Sequence, residues 1–150
     1  MELEKEIGSN KFEDNLHKSL VNVIYTYGWI TNLIKPFFDK HHITSQQFNI
    51  LRILRGQYPN PCTVNILKER MLDKMSDASR IVDRLVKKEL VTRCINIKDR
   101  RAVDIKISPK GTEILKKLDD EMKTKEIFKN SLTEAEAEVL SGLLDKFRGK

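Results

Sequence analysis

Few of the residues that build reactive centres are present in this chain. Only two cysteines, Cys62 and Cys94, occur in 150 residues, with no Cys-x-x-Cys spacing and no histidine cluster beside them. Neither a disulfide framework nor a zinc knuckle is expected, and both read as ordinary thiols. Six scattered glycines and three histidines supply no phosphate-cradling loop, no nucleophile paired with a base and no metal cluster. No enzyme activity, cofactor or metal is therefore expected. Apolar residues never run beyond three in succession, far short of the roughly 20 that a membrane-spanning helix needs. The Glu-rich start MELEKE lacks the regions of a signal peptide, so a soluble, intracellular chain of one-domain length is expected.

What is present is positive charge in one place. The formal net charge is +6. Between Lys68 and Lys110 there are thirteen Lys or Arg against seven acids, and the remainder holds fifteen of each. The whole excess thus lies in one contiguous block, the electrostatic footprint of phosphate binding.

The helical pattern brackets that block. After a frayed start to about residue 11, a long helix is predicted to about Lys35, where Pro36 ends or kinks it. Leu16, Leu20, Val23, Tyr27, Ile30 and Ile34 form one apolar stripe on it. Tyr25, Trp29 and Leu33 form a second, about 140° around the axis at ~100° per residue. A helix apolar on two sides needs two partners, one its own domain and the other a second copy of the chain. Thr44-Ser45-Gln46-Gln47 reads as a capping box opening the next helix, with Phe48, Leu51 and Leu54 inward. Thr63 caps a short helix through Leu72, and Asp73 or Ser76 caps another to about Lys88.

Two short helices across a tight turn form a helix-turn-helix pattern, which alone is weak. On the second helix Ala78, Ile81, Val82, Leu85 and Val86 share one face, and Ser76, Arg80, Asp83, Arg84 and Lys87 gather opposite. A recognition helix reads base edges with its N-terminal half, which selects Ser76, Asp77, Ser79 and Arg80 for readout. Arg84 and Lys87 are then phosphate contacts. A solvated surface helix would show the same face. The segment that follows decides between them: Val91, Ile95 and Ile97, then Val103, Ile105 and Ile107, alternate on two strands around the turn Lys98-Asp99-Arg100-Arg101. A hairpin directly after a helix-turn-helix is a wing, and its basic tip suits a minor groove.

The order of elements, together with ITSQQFNILRIL, the LKERM and SRIVDRLVKKELVTR segments, DRRAVDIKIS and PKGTEIL, resembles the MarR family of bacterial winged-helix transcription regulators from about residue 12 to 147. The resemblance implies a mainly α fold with a small β wing, a winged helix-turn-helix flanked by N- and C-terminal dimerisation helices. It implies one domain over residues 1–150, with 12–43 and 109–150 dimerising and 44–108 forming the DNA-binding lobe. It also implies a cytoplasmic, nucleoid-associated bacterial protein that binds an inverted-repeat operator in double-stranded DNA as a homodimer, most simply as a repressor. Asp99 and Arg101 would shape the wing tip, with Arg101 probing the minor groove and Arg100 meeting phosphate. Two positions depart from the pattern. Glu89 stands where relatives usually end the recognition helix with glycine, and Lys74-Met75 replaces a common Ser-Pro pair.

Regulators of this family often hold a small aromatic or phenolic effector between the dimer helices and the DNA-binding lobe. Tyr25, Trp29, Phe37, Phe38, His41 and His42 are the residues here that could line such a place, although an aromatic stripe at helical spacing also makes ordinary core. The terminal segment supplies Ser108-Pro109 as a helix start, then Ile114, Leu115, Leu118 and Met122. A second capping box, Thr133-Glu134-Ala135-Glu136, is followed by Val139, Leu140, Leu143, Leu144 and Phe147 on an inward face. The rival reading is a winged-helix protein-interaction module. Arg80, Arg84, Lys87, Lys98, Arg100 and Arg101 on the binding face favour nucleic acid, and the narrow A-form groove disfavours RNA.

Overall fold

The structure, a computed structural model, describes residues 2–97 and 101–149. Among these residues the elements run α1 (Leu3–Ile7), α2 (Asn15–Lys40), α3 (Ser45–Gln57), α4 (Val64–Arg70), α5 (Ala78–Lys87), β1 (Val91–Ile95), β2 (Val103–Ile107), α6 (Pro109–Glu121), α7 (Thr124–Phe128) and α8 (Glu134–Phe147). The fold is mainly helical with one small antiparallel hairpin, as the sequence pattern requires.

Capping residues set most helix starts. Asp14, Thr63 and Ser108 each accept a backbone N–H of the first turn of α2, α4 and α6. Thr44 with Gln47 and Thr133 with Glu136 close complete capping boxes at α3 and α8. Each such cap is worth about 1 kcal/mol. At α5 the cap is neither Asp73 nor Ser76 but Asp77, which accepts from Arg80 N at 3.2 Å. Asp73 instead organises the preceding turn.

Pro36 does not end α2. The ring removes the N–H that would reach the carbonyl four residues back, a loss of about 3 kcal/mol. Continuing for one more turn buries Phe38 and then Ile43, each 4% exposed, and each burial returns about 1.5–3 kcal/mol. Phe38 packs its ring on Phe48 with centroids 5.1 Å apart, so tertiary packing overrides the local signal. The N-terminus also differs from the frayed start expected of it. Five residues of helix have no stability of their own, but Leu3 is buried, Glu4 pairs with Lys18 and Tyr25 Oη donates to Glu6 Oε2 at 2.8 Å.

One core joins α2 to α6 and the hairpin, built from Phe38, Ile43, Ile50, Leu51, Leu54, Leu67, Met71, Val82, Leu85, Leu90, Val91, Ile105, Leu115 and Leu118. In the hairpin Val91 faces Ile107, Arg93 faces Ile105 and Ile95 faces Val103. Cys62 extends this ladder from the segment before α4: its N–H donates to Ile105 O at 3.0 Å and its carbonyl accepts from Ile105 N at 2.8 Å. That pair pins the base of the wing to the helix-turn-helix. Burial pushes the Cys62 thiol pKa up, which keeps it protonated and inert.

The second stripe of α2 is partly covered within the chain, Tyr25 and Leu33 being half-buried and Trp29 49% exposed. Tyr25 meets α1, and Trp29 lies against Phe128 of α7 with ring centroids 6.3 Å apart. The first stripe is bare over its N-terminal part, Leu16 being 74% and Tyr27 72% exposed, while Ile34 packs against the core. The apolar face of α8, expected inward, is bare too: α8 has no buried residue, and Val139 is 62% exposed. Among the described residues nothing buries that face.

Candidate nucleic-acid interface

The recognition helix is held by its apolar face and by its two ends. Ala78, Val82 and Leu85 are buried, leaving Ser79, Arg80, Asp83, Arg84 and Lys87 on the exposed side. At the C-terminal end Leu90 N donates to Leu85 O at 3.0 Å and Glu89 N to Val86 O at 2.9 Å. This is the paired hydrogen-bond pattern that terminates helices through a left-handed residue. Glu89 takes that conformation, with φ 61°. The departure from glycine is therefore a strained residue and not a reshaped helix end. Its carbonyl accepts from Ser108 Oγ at 2.7 Å and its carboxylate from Lys110 Nζ at 3.0 Å, contacts that hold it in place.

Charge on the exposed side is sorted by ion pairing. Asp83, the acid in the middle of that face, pairs with Arg93 of β1 at 2.5 Å. This ties helix to wing and offsets the negative charge on that face, Asp83 itself staying exposed. Arg80 leans back on Asp77 at 3.2 Å, the arginine side chain remaining 81% exposed. Exposed ion pairs of that kind contribute about 0–1 kcal/mol, so Arg80 is released at little cost. Lys88 belongs elsewhere: its ammonium donates to the His42 carbonyl and to Gln47 Oε1 at 3.1 Å. It fixes the end of α5 against the α2–α3 turn.

A cleft of about 280 Å³ lies beside the helix, lined by Thr44, Gln46, Gln47, Ser76, Asp77, Arg80, Ile81 and Arg84. The N-terminal end of α3, carrying the positive end of its dipole, thus opens beside Arg80 and Arg84. Reading the sequence for base and phosphate contacts passed over Thr44 and Gln46. The capping box marked that helix end, but nothing in the sequence put it next to the recognition helix.

Of the residues expected to meet DNA, Ser76, Asp77, Ser79, Arg80, Arg84 and Lys87 are brought together on and around α5, with Asp77 also serving as its cap. Arg101 is exposed where the chain re-enters the hairpin. Lys98, Asp99 and Arg100 lie outside the described residues.

The residues expected to line an effector site separate. A larger groove of about 680 Å³ runs between α2 and the helix-turn-helix, with Tyr27, Ile30, Ile34, Phe38, Ile43 and Met71 as its apolar lining and Thr31, Lys35, Asp39, Asn49, Asp73 and Lys74 among its polar lining. Of the six candidates it takes Phe38 alone. Tyr25 bonds to α1, Trp29 touches α7 while staying half exposed, Phe37 packs on the core, and His42 is exposed. His41 sits 3.2 Å from Glu121, which also accepts from Lys40 at 2.7 Å. The groove face of α2 is the Tyr27-Ile30-Ile34 stripe, about 140–180° away from Tyr25 in helical angle.

Helix-turn-helix, strand-pinned wing and flanking helices together define a winged helix-turn-helix of the kind found in transcription regulators. Comparison with known proteins carries this to a family. The MarR family profile matches residues 43–103. The uncharacterized HTH-type transcriptional regulator YpoP of Bacillus subtilis (strain 168) is 34% identical over 125 residues, covering 81% of this chain and 84% of that protein. A mutant MarR from E. coli, solved in complex with operator DNA, superposes with a TM-score of 0.73 at 27% identity, covering 97% of this chain and 98% of its own. An organohalide-sensing regulator solved in its 2,4-dichlorophenol-bound form shares the fold, with a TM-score of 0.79 at 24% identity, over 93% of this chain and 84% of that one. The chain belongs to the MarR family of transcription regulators. Family and fold are those of regulators and not of enzymes, and no described helix is long and apolar enough to cross a membrane.

Proposed function

We propose that this protein binds an inverted-repeat operator in duplex DNA as a homodimer, with α5 in the major groove and the wing in the minor groove, and that it represses transcription until a small ligand releases it. The observation that carries the reading is the sorting of charge on α5. Its apolar face packs on the core through Ala78, Val82 and Leu85, its one central acid is paired with Arg93, and Arg80, Arg84 and Lys87 remain exposed. Base readout falls to Ser76, Ser79 and Arg80, with Asp77 capping the helix that presents them. Phosphate contact falls to Arg84, Lys87 and Arg100, and the wing tip to Lys98, Asp99 and Arg101. The single domain divides as 12–43 and 109–150 for dimerisation and 44–108 for DNA.

The dimer is supported by the bare stripe of α2 and the bare face of α8, two apolar surfaces at the two ends of the chain that one copy cannot cover. A two-fold pair of recognition helices reads half-sites about one helical turn apart, roughly 10 bp. An effector of aromatic or phenolic character fits the groove between α2 and the lobe better than it fits the stripe of Tyr25 and Trp29. The groove offers apolar walls beside a charged rim, and it touches both the α2 stripe proposed for dimerisation and the turn ahead of α5.

Selection of bound fragments from random duplex DNA tests the proposal directly. Enrichment of a motif with two-fold symmetry, bound with affinity falling steeply as salt rises, is the expected result. Enrichment of no sequence, or a solution mass near 17.5 kDa by light scattering at micromolar concentration, refutes it.

A further inference from the structure

Leu72 to Ser76, the five residues between the cap residues of α4 and α5, are used unequally. Asp73 is spent on the turn itself: its Oδ1 accepts from Met75 N at 3.0 Å, and its Oδ2 from Ser76 Oγ at 2.7 Å. Its carbonyl also accepts from Ser76 N at 3.3 Å. The Ser76 hydroxyl and the Met75 amide hold the Asp73 carboxyl below its ordinary pKa, so this brace persists at neutral pH. Lys74 turns its ammonium back to the Glu69 carbonyl at the end of α4. Leu72 is also exposed, at 87%, but lies along the groove beneath α2, from which Met75 is absent. Met75 is left projecting, 93% exposed, from a backbone that its neighbours have fixed.

A single exposed apolar residue needs no explanation in general. This one stands three residues ahead of α5, immediately before Ser76, Asp77 and Arg80, which line the cleft beside the helix. The residues at the start of a recognition helix are those that reach base edges. Positive charge is supplied by Arg80 and Arg84, so the polyanion draws the whole turn to its surface whatever Met75 does. A thioether offers no useful hydrogen bond to a base. It is flexible and polarisable, and it gains by covering apolar surface. The major groove presents one apolar group, the 5-methyl of thymine.

We propose that Met75 is a specificity-determining residue that reads a thymine methyl in each half-site of the operator. This inference rests on the DNA-binding reading and adds a contact to it. A residue that packs on a methyl group and makes no ionic contact contributes to sequence choice without altering the salt dependence of binding.

The experiment replaces each thymine of the selected operator by deoxyuridine, symmetrically in both half-sites, which deletes the methyl group and leaves base pairing unchanged. Wild type and Met75→Ala, each as the full chain, are titrated against every substituted duplex. At one symmetric pair of positions wild type is expected to lose about tenfold in affinity, from ~0.8 kcal/mol per buried methyl-sized group in each of two half-sites. Met75→Ala is expected to lose less than about twofold there and to bind the unsubstituted operator as wild type binds the uridine one. The slope of log affinity against log salt stays the same in both. If no position shows a methyl effect that Met75→Ala removes, the assignment is overturned while DNA binding stands. If no operator is selected at all, the DNA-binding reading falls and Met75 falls with it. Since Met75 buries almost nothing, the alanine variant keeps the fold, and a thermal melt matching wild type verifies this.

Discussion

Gly111→Ala is the substitution on which local and tertiary reasoning disagree about sign. Gly111 lies in the first turn of α6, and replacing a helical glycine by alanine ordinarily stabilises by about 1 kcal/mol. A Cβ at this position, however, would stand 2.3 Å from the Leu90 carbonyl oxygen and 2.9 Å from Ile107 Cγ1. The first of these is backbone, and it is already engaged, because Leu90 O accepts from Ser108 N at 3.0 Å. Ser108 Oγ in turn bridges Glu89 O at 2.7 Å and Gly111 N at 3.0 Å. The methyl group fits only if α6 backs away from the end of the recognition helix and gives up part of this joint. Overpacking costs about 1–3 kcal/mol, and one lost hydrogen bond about 1 kcal/mol. Against the helical gain of about 1 kcal/mol, the net loss is about 1–3 kcal/mol. At 2–4 °C per kcal/mol for a domain of this size, the melting temperature falls by roughly 2–12 °C. The assay is a thermal melt followed by circular dichroism, at one fixed protein concentration because association shifts the midpoint. Gly56→Ala is the control. It lies in the last turn of α3, where an added Cβ meets nothing within 4 Å, so it melts at or slightly above wild type. A Gly111→Ala protein that melts with Gly56→Ala, at or above wild type, refutes the close approach of α6 to Leu90.

Glu89→Gly relieves a left-handed residue, worth about 1–2 kcal/mol, against the ~0.5–1 kcal/mol that glycine costs in chain entropy and a surface pair with Lys110 worth at most about 1 kcal/mol. These terms nearly cancel, so it stays within about 1 kcal/mol of wild type in denaturant titration, whereas Glu89→Val destabilises; a Val variant as stable as the Gly variant contradicts φ 61° at this residue. Arg101→Ala abolishes operator retention in a gel shift while light scattering still reports a dimer, and full-affinity binding sinks the assignment of the wing to the minor groove. Arg80→Ala flattens the base preferences recovered from random duplexes; a uniform loss on all DNA makes Arg80 a phosphate contact instead. Glu121 is held below the usual carboxylate range chiefly by its hydrogen bond from Lys40, with His41 adding to it. A depressed carboxylate stabilises the fold above its unfolded pKa, near 4.5, and that contribution is lost as pH falls through the folded value. Glu121→Gln therefore weakens stability at pH 7 and flattens its decline below about pH 4.5, as read from melts across that range.

The helix starts were legible because capping is local: Thr44-Gln47 and Thr133-Glu136 are complete within four residues. The wing was legible because alternation is local too. The misreadings share one cause, which is that distant residues outbid a local signal. Pro36 is passed over because Phe38 and Ile43 find a core two turns further on. Residues Leu3–Ile7 fold because Lys18 and Tyr25 are there to receive them. The α5 cap is the exception, a choice among local contacts: Asp77 accepts from Arg80 N while Asp73 is taken up by the turn before it. Thr44 and Gln46 line the cleft beside α5 with no signal in the sequence, because the meeting of α3's first turn with Arg80 and Arg84 is a fact about packing and leaves no periodicity behind.

By itself the sequence determined which elements form, where the positive charge is concentrated and which family pattern they follow, since composition, caps and apolar periods act over a few residues. Which charges remain exposed on that block, how the recognition helix ends at a strained Glu89, and which face of α2 borders the groove were decided by tertiary structure. Each depends on a partner far away in the chain: Arg93 for Asp83, Ser108 for Glu89, and α1 and α7 for Tyr25 and Trp29.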